Sequence, residues 1–140
     1  MASASIVVLD NPSDADRRAI LTPLDAFNKT KAGDENYEPM AIVLRDEAEK
    51  IVGGLWAQLY FDWVFIELLF IPENLRGENL GARLLSQLEE IAKAKSCVGV
   101  WLDTFSFQAP GFYERQGYER FATMDNYPKG MARFFFRKVF

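Results

Sequence analysis

Histidine is absent from this 140-residue chain, and Cys97 is its single cysteine. Without histidine the commonest general base and the commonest zinc ligand are gone, which excludes a Ser-His-Asp hydrolase and argues against a zinc enzyme or any other metal site. A lone thiol forms no internal disulfide, as expected in a reducing cytoplasm. No uncharged run approaches the ~18 residues of a membrane helix. The start of the chain has no basic segment leading into an apolar one, so no leader is expected. Repeats, linkers and low-complexity stretches are also missing. These absences predict one cytoplasmic domain over residues 1–140 with no membrane partner.

What the chain does have is a high apolar content, 49%, of which aromatics make up a large part. That is enough for a packed core. Net charge is −4, but residues 1–75 carry −7 and residues 76–140 carry +3. An acidic first half argues against nucleic acid and for a cationic small substrate.

Hydrophobic periodicity and turn residues predict the elements in order. Residues 5–9 read as a strand. Asn11, Pro12, Ser13 and Asp14 open a helix that Pro23 should divide into two, at 15–21 and 24–29. Strands at 40–45, 51–60 and 63–71 have short links and should form an antiparallel meander. Leu80, Leu84, Leu85, Leu88, Ile91 and Ala92 share one face of a helix over 80–95. A strand at 98–104 follows, parallel to 63–71 by the crossover rule. A short helix at 109–116 ends at Gly117, and strands at 118–124 and 131–139 close the chain. Gly53 and Gly54 mark a bulge or a close approach. Phe134, Phe135 and Phe136 put aromatics on both faces of the last strand, so that sheet is either covered on both sides or part of a homodimer contact. The fold class is α/β: a mixed, twisted sheet of about seven strands with helices on both faces.

The segment with the most chemistry lies between the third strand and the long helix. There Arg76, Gly77, Glu78, Asn79, Leu80, Gly81 and Ala82 connect an apolar strand directly to a helix start. Backbone N–H groups at a helix N-terminus have no internal partner and carry the positive end of the dipole, so glycines beside them make room for an anion such as a pyrophosphate. By spacing alone the loop also reads as a plain connection, since it lacks the full spacing of a P-loop or a dinucleotide fingerprint.

Some thirty residues on come Ala109, Tyr113, Gly117 and Tyr118. The pair of motifs, Arg-x-x-x-x-Gly-Ala after a strand and Ala-x-x-x-Tyr-x-x-x-Gly-Tyr after the next, resembles the GNAT superfamily of acetyl-CoA-dependent N-acetyltransferases. The order of elements agrees over nearly the whole chain. Asn79 stands where the family usually has glycine, and Asn is the non-glycine residue best suited to a left-handed backbone. Ser106 stands where the family often has an Asn that touches the cofactor; Gln108 is placed to substitute.

The resemblance implies a sheet that splays between the strands at 63–71 and 98–104, with acetyl-CoA as acyl donor in the cleft. Its pantetheine would pair with backbone at Leu69, Phe70 and Ile71. Its pyrophosphate would lie on residues 76–82. Ser106, Gln108 and Tyr113 would complete the cofactor site. Tyr113 would be the acid that protonates the leaving sulfur. From its strand position, Glu67 falls on one face with Trp63, Phe65, Leu69 and Ile71. Apolar neighbours would raise its pKa and suit it to act as base toward an ammonium substrate; an ion pair or a solvent-facing position is the bland alternative. Asp103 is a weaker candidate for the same role. The implied reaction is acetyl transfer to a primary amine of a small, cationic molecule, by direct attack in a ternary complex. The alternatives are a protein N-terminal or lysine acetyltransferase and a non-catalytic acyl-CoA sensor.

Overall fold

The structure, a computed structural model, describes residues 3–140. It comprises two compact units, one ending at Glu35 and one running from Asn36 to Phe140.

In the first unit, helix α1 spans Asp14–Ala32. Ser13 caps it reciprocally: its hydroxyl accepts from the Asp16 N–H at 3.2 Å, while the Ser13 N–H donates to Asp16 Oδ2 at 2.9 Å. That backbone hydrogen bond holds the Asp16 carboxyl below the ordinary carboxylate range. Two expectations are corrected here. The helix passes through Pro23 without dividing. The Ser13–Asp16 capping box and the basic Lys29 and Lys31 in the last turn stabilise the turns on either side of Pro23, which removes one hydrogen bond without ending the helix. Residues 5–9 form no strand; an isolated strand has nowhere to place its backbone hydrogen bonds.

The second unit is a mixed sheet with helices, of six strands and so close to the expected count of about seven. Its strands are β1 (Glu38–Arg45), β2 (Ile51–Tyr60), β3 (Trp63–Phe70), β4 (Gly99–Phe105), β5 (Glu119–Asp125) and β6 (Ala132–Val139), in the order β1-β2-β3-β4-β6-β5. The meander β1-β2-β3 is antiparallel, and β3 and β4 are parallel, as predicted. Between β3 and β4 runs α2, Leu80–Ala94. It buries Leu84, Leu85, Leu88 and Ala92 against Val64, Val100, Leu102 and Phe136 of the sheet. The short α3, Pro110–Arg115, adds Tyr113 to the same core.

Gly53 and Gly54 mark a close approach. A Cβ on Gly54 would stand 2.4 Å from the Ile42 carbonyl oxygen, and its φ of +134° lies in a region that L side chains rarely adopt. We predict that Gly54→Ala lowers unfolding stability by about 2 kcal/mol or more. Gly130→Ala, whose Cβ would meet nothing within 4 Å, should cost less. Urea unfolding of the two variants checks the order.

Candidate active site

The parallel pairing of β3 with β4 runs from Trp63–Gly99 to Ile66–Leu102 and stops there, although both strands continue. The cause lies in β3. Opposite β2, Ala57 pairs with Ile66 and Trp56 with Leu68, leaving Glu67 as the extra residue of a bulge. A bulge bends its strand and reverses the side-chain alternation beyond it. Val64 and Ile66 face the core before it, and Leu69 and Ile71 pack on that same core after it. The expected common face for Trp63, Phe65, Glu67, Leu69 and Ile71 is therefore wrong. Glu67 is exposed, not flanked by apolar neighbours on the core face. Beyond Ile66 the backbone of β3 on its β4 side has no strand partner, which opens a wedge in the sheet.

That wedge leads to the start of α2. Asn79 adopts the left-handed conformation expected for it, with φ 62° and ψ 22°, and its side chain does not cap the helix. The first turn of α2 holds no acid, whereas α1 has two acids and a full capping box. The N–H groups of Leu80, Gly81 and Ala82 are thus left for an external acceptor. Gly77, at φ +86°, has nothing within 4 Å of where a Cβ would stand, so the loop is open above it. Arg76 is exposed and its Nε donates to the Ile71 carbonyl at 3.0 Å, which ties the loop to the end of β3. Glu78 is exposed as well. Gly81 has a packing reason that its sequence position hides: a Cβ there would approach the Phe112 ring to 3.0 Å.

Tyr113 is buried, and its ring contacts Phe112, Tyr118 and Phe136. Burial, with Asp103 adding to it, pushes its phenol up to about 12. The hydroxyl therefore keeps its proton at neutral pH. Ser106 and Gln108 both have internal partners. The Ser106 hydroxyl accepts from the Ala132 N–H at 3.0 Å. The Gln108 carbonyl oxygen accepts from the Thr104 hydroxyl at 2.9 Å and the Phe105 N–H at 2.8 Å. Asp103 is ion-paired with Arg133, whose guanidinium also lies over the rings of Phe105, Tyr127 and Phe135.

A second buried polar group went unnoticed in the sequence. Glu89 accepts from the Tyr118 hydroxyl and from Lys138 Nζ, each at 2.9 Å. Burial and the Glu89 carboxylate push the Tyr118 phenol far above its usual range. On a helix rich in charged residues, nothing in the local pattern distinguishes Glu89 from Glu90. Cys97 is buried, and burial with Asp62 beyond raises its thiol, so it is a poor nucleophile.

An uncapped helix start one short loop beyond an unpaired strand edge offers backbone donors to an anion. Comparison with known proteins agrees. The profile of the acetyltransferase (GNAT) family matches residues 10–118. A curated relative, acetyltransferase Atu2258 of Agrobacterium fabrum, is 31% identical over 134 residues, covering 95% of this chain and 98% of the relative. Blasticidin-S acetyltransferase of Streptomyces morookaense is 37% identical over 87 residues, covering 61% of this chain and 64% of its own. A crystal structure of an Agrobacterium tumefaciens protein assigned as an acetyltransferase superposes with a TM-score of 0.91 at 28% identity, covering 98% of this chain and 100% of that one. The chain belongs to the GNAT acetyltransferase family and is an acetyl-CoA-dependent acetyltransferase. Among the described residues no His/Cys/Asp/Glu group could hold a metal, and no helix is long and apolar enough to cross a membrane.

The buried phenols give a pH signature. Both pKa values are raised in the folded state, so their contribution to stability is complete below the unfolded tyrosine value of about 10 and is lost as pH rises beyond it. Unfolding free energy should fall between pH 10 and 12. Tyr113→Phe should remove on the order of 2 kcal/mol of that fall. Denaturant titrations at stepped pH measure it, and equal slopes for wild type and variant would contradict the assignment.

Proposed function

We propose that this enzyme acetylates a primary amine of a small cationic molecule, and that the wedge between β3 and β4 together with the bare N-terminus of α2 holds the acetyl-CoA. The wedge is the observation that carries this reading. It leaves backbone at Leu69 and Phe70 without a strand partner on the side facing β4, and it lies one short loop from the anion site. When bound, acetyl-CoA supplies an acetyl thioester. The N–H groups of Leu80, Gly81 and Ala82, with the Arg76 guanidinium, would meet its pyrophosphate. Leu69, Phe70 and Ile71 would extend a ladder along its pantetheine; the Ile71 carbonyl is already engaged by Arg76, so the free groups there are the remaining ones. Ser106 and Gln108 would contribute through whatever donor capacity their internal bonds leave.

Tyr113 would hold a proton where the departing sulfur needs one. A phenol at about 12 does not readily surrender that proton to a sulfur whose pKa is about 8.5. Its main contribution is then a hydrogen bond to developing negative charge in a water-poor site. Glu67 stands at the point where β3 parts from β4, and as an exposed carboxylate it would draw in the ammonium and pass its proton to water. The −7 charge of residues 1–75 would raise the local concentration of such a cation. The name of the Streptomyces relative supports a small-molecule acceptor over a protein one. The high thiol of Cys97 favours direct attack over an acetyl-cysteine route.

Thiol release from acetyl-CoA, measured across a panel of amines, tests the proposal. Cationic amines should be the best acceptors, and an anionic best substrate would overturn that part of it. Tyr113→Phe should keep the rise in melting temperature caused by acetyl-CoA while losing about 10²-fold or more in turnover. Turnover within a factor of two of wild type would remove Tyr113 from the chemistry. Glu67→Gln should raise KM for a cationic amine and leave acetyl-CoA binding unchanged.

A further inference from the structure

Helices α2 and α3 carry the two halves of the proposed site, the bare N-terminus and Tyr113, and two contacts of different kinds join them. The first is apolar. The Phe112 ring lies so close to Gly81 that a Cβ there would stand 3.0 Å from it. The second is polar. The Tyr118 hydroxyl, just past the end of α3, donates to Glu89 Oε2 at 2.9 Å. Glu89 lies in α2 beyond Gly81, about 12 Å further along the helix axis. Tyr113 falls between Phe112 and Tyr118 in the chain. Its carbonyl accepts from the Tyr118 N–H at 3.0 Å, and its ring meets the Tyr118 ring edge-on at 6.1 Å. Tyr118 is thus fastened to Tyr113 at its backbone and to α2 at its hydroxyl.

Lys138 of β6 completes the group. Its Nζ donates to Glu89 Oε1 at 2.9 Å and lies 5.2 Å from the centre of the Tyr118 ring. Its stem runs past Gly117, where a Cβ would stand 3.2 Å from Lys138 Cε. Glu89 is 9% exposed and Tyr118 4%. All of these residues belong to the second unit. Burying a carboxylate carries a desolvation cost, and apolar residues of the same volume often hold a core as well. Stability alone therefore does not call for this trio. What it adds is direction. A ring against a glycine can slide and turn, whereas a hydrogen bond weakens steeply as its angle departs from linear. The Glu89–Tyr118 bond fixes the rotation of α3 about the Phe112 contact, and with it the placement of Tyr113 relative to the start of α2.

We propose that Glu89, through Tyr118, is a positioning residue for acetyl transfer: it sets where Tyr113 stands relative to the cofactor held at the start of α2. This rests on the role proposed above for Tyr113 at the departing sulfur. A misplacement of about 1 Å at such a group is enough to cost about 10²-fold in rate.

A double-mutant cycle tests it. Tyr118→Phe removes one hydroxyl and leaves Lys138 on Glu89. It should lower kcat about 10-fold or more, while acetyl-CoA affinity and KM for the amine stay within about twofold of wild type. The same change in a Tyr113→Phe background should leave kcat within about twofold of Tyr113→Phe alone, because the phenol being positioned is gone. A merely structural role would lower turnover by the same factor in both backgrounds, and that result would overturn the inference. So would a loss that falls on acetyl-CoA affinity rather than kcat, or a Tyr118→Phe enzyme as active as wild type beside an impaired Tyr113→Phe. A Tyr113→Phe enzyme as active as wild type would instead remove the role of Tyr113 itself, and this inference with it. Should Tyr118→Phe not fold, Glu89→Asp, one methylene short of Tyr118, takes its place in the same two backgrounds with the same expected pattern.

Discussion

A single extra residue in β3 shapes this molecule. Glu67 sits in the ladder between β2 and β3 with no partner of its own, and the strand bends there. From that point β3 stays with β2 and leaves β4, while its core-facing residues change from even to odd numbers. Two consequences follow together. Leu69 and Ile71 still reach the core, so the bend costs little burial. The strand edge they belong to becomes free on the side toward β4. The cleft is therefore made by breaking sheet pairing locally, within a structure whose hydrophobic packing is continuous.

The wedge alone would be a defect if nothing stabilised its margins. Arg76 fastens the following loop back to the Ile71 carbonyl. The Asp103–Arg133 pair and the aromatic rings around that guanidinium hold the β4 side to β6. Glu89, accepting from both Tyr118 and Lys138, links α2 to the end of α3 and to β6. A buried carboxylate with two donors is tolerated, whereas one without them is strongly destabilising. These polar contacts fix the positions of α2 and α3, and those two helices carry the bare N-terminus and Tyr113.

Much of this could be read in the sequence. The Leu80-to-Ala92 stripe, the left-handed Asn79, the meander and the parallel crossover follow from spacing and turn chemistry, and the two motifs pointed to the family. The bulge was hidden because residues 63–70 are apolar on both faces apart from Glu67, so their pattern has no phase that a one-residue slip would disturb. Glu89 and Arg133 were hidden because their partners lie 29 to 49 positions away and are set by strand register. Pro23 misled because a proline removes one hydrogen bond, while the caps at both ends of α1 keep the turns on either side helical. Residues 5–9 do read as a strand, but a strand forms only against a neighbour, and the local pattern names none.

The central claim is that the wedge and the start of α2 form one acetyl-CoA cradle. Hydrogen exchange with and without acetyl-CoA tests it most directly, since the wedge leaves the β4-facing edge of β3 without a strand partner and the start of α2 has no side-chain cap. The account predicts slowed exchange at residues 69–71 and at 77–82 together, with β5 unchanged. Saturating acetyl-CoA that leaves both segments exchanging at their free rates would contradict it.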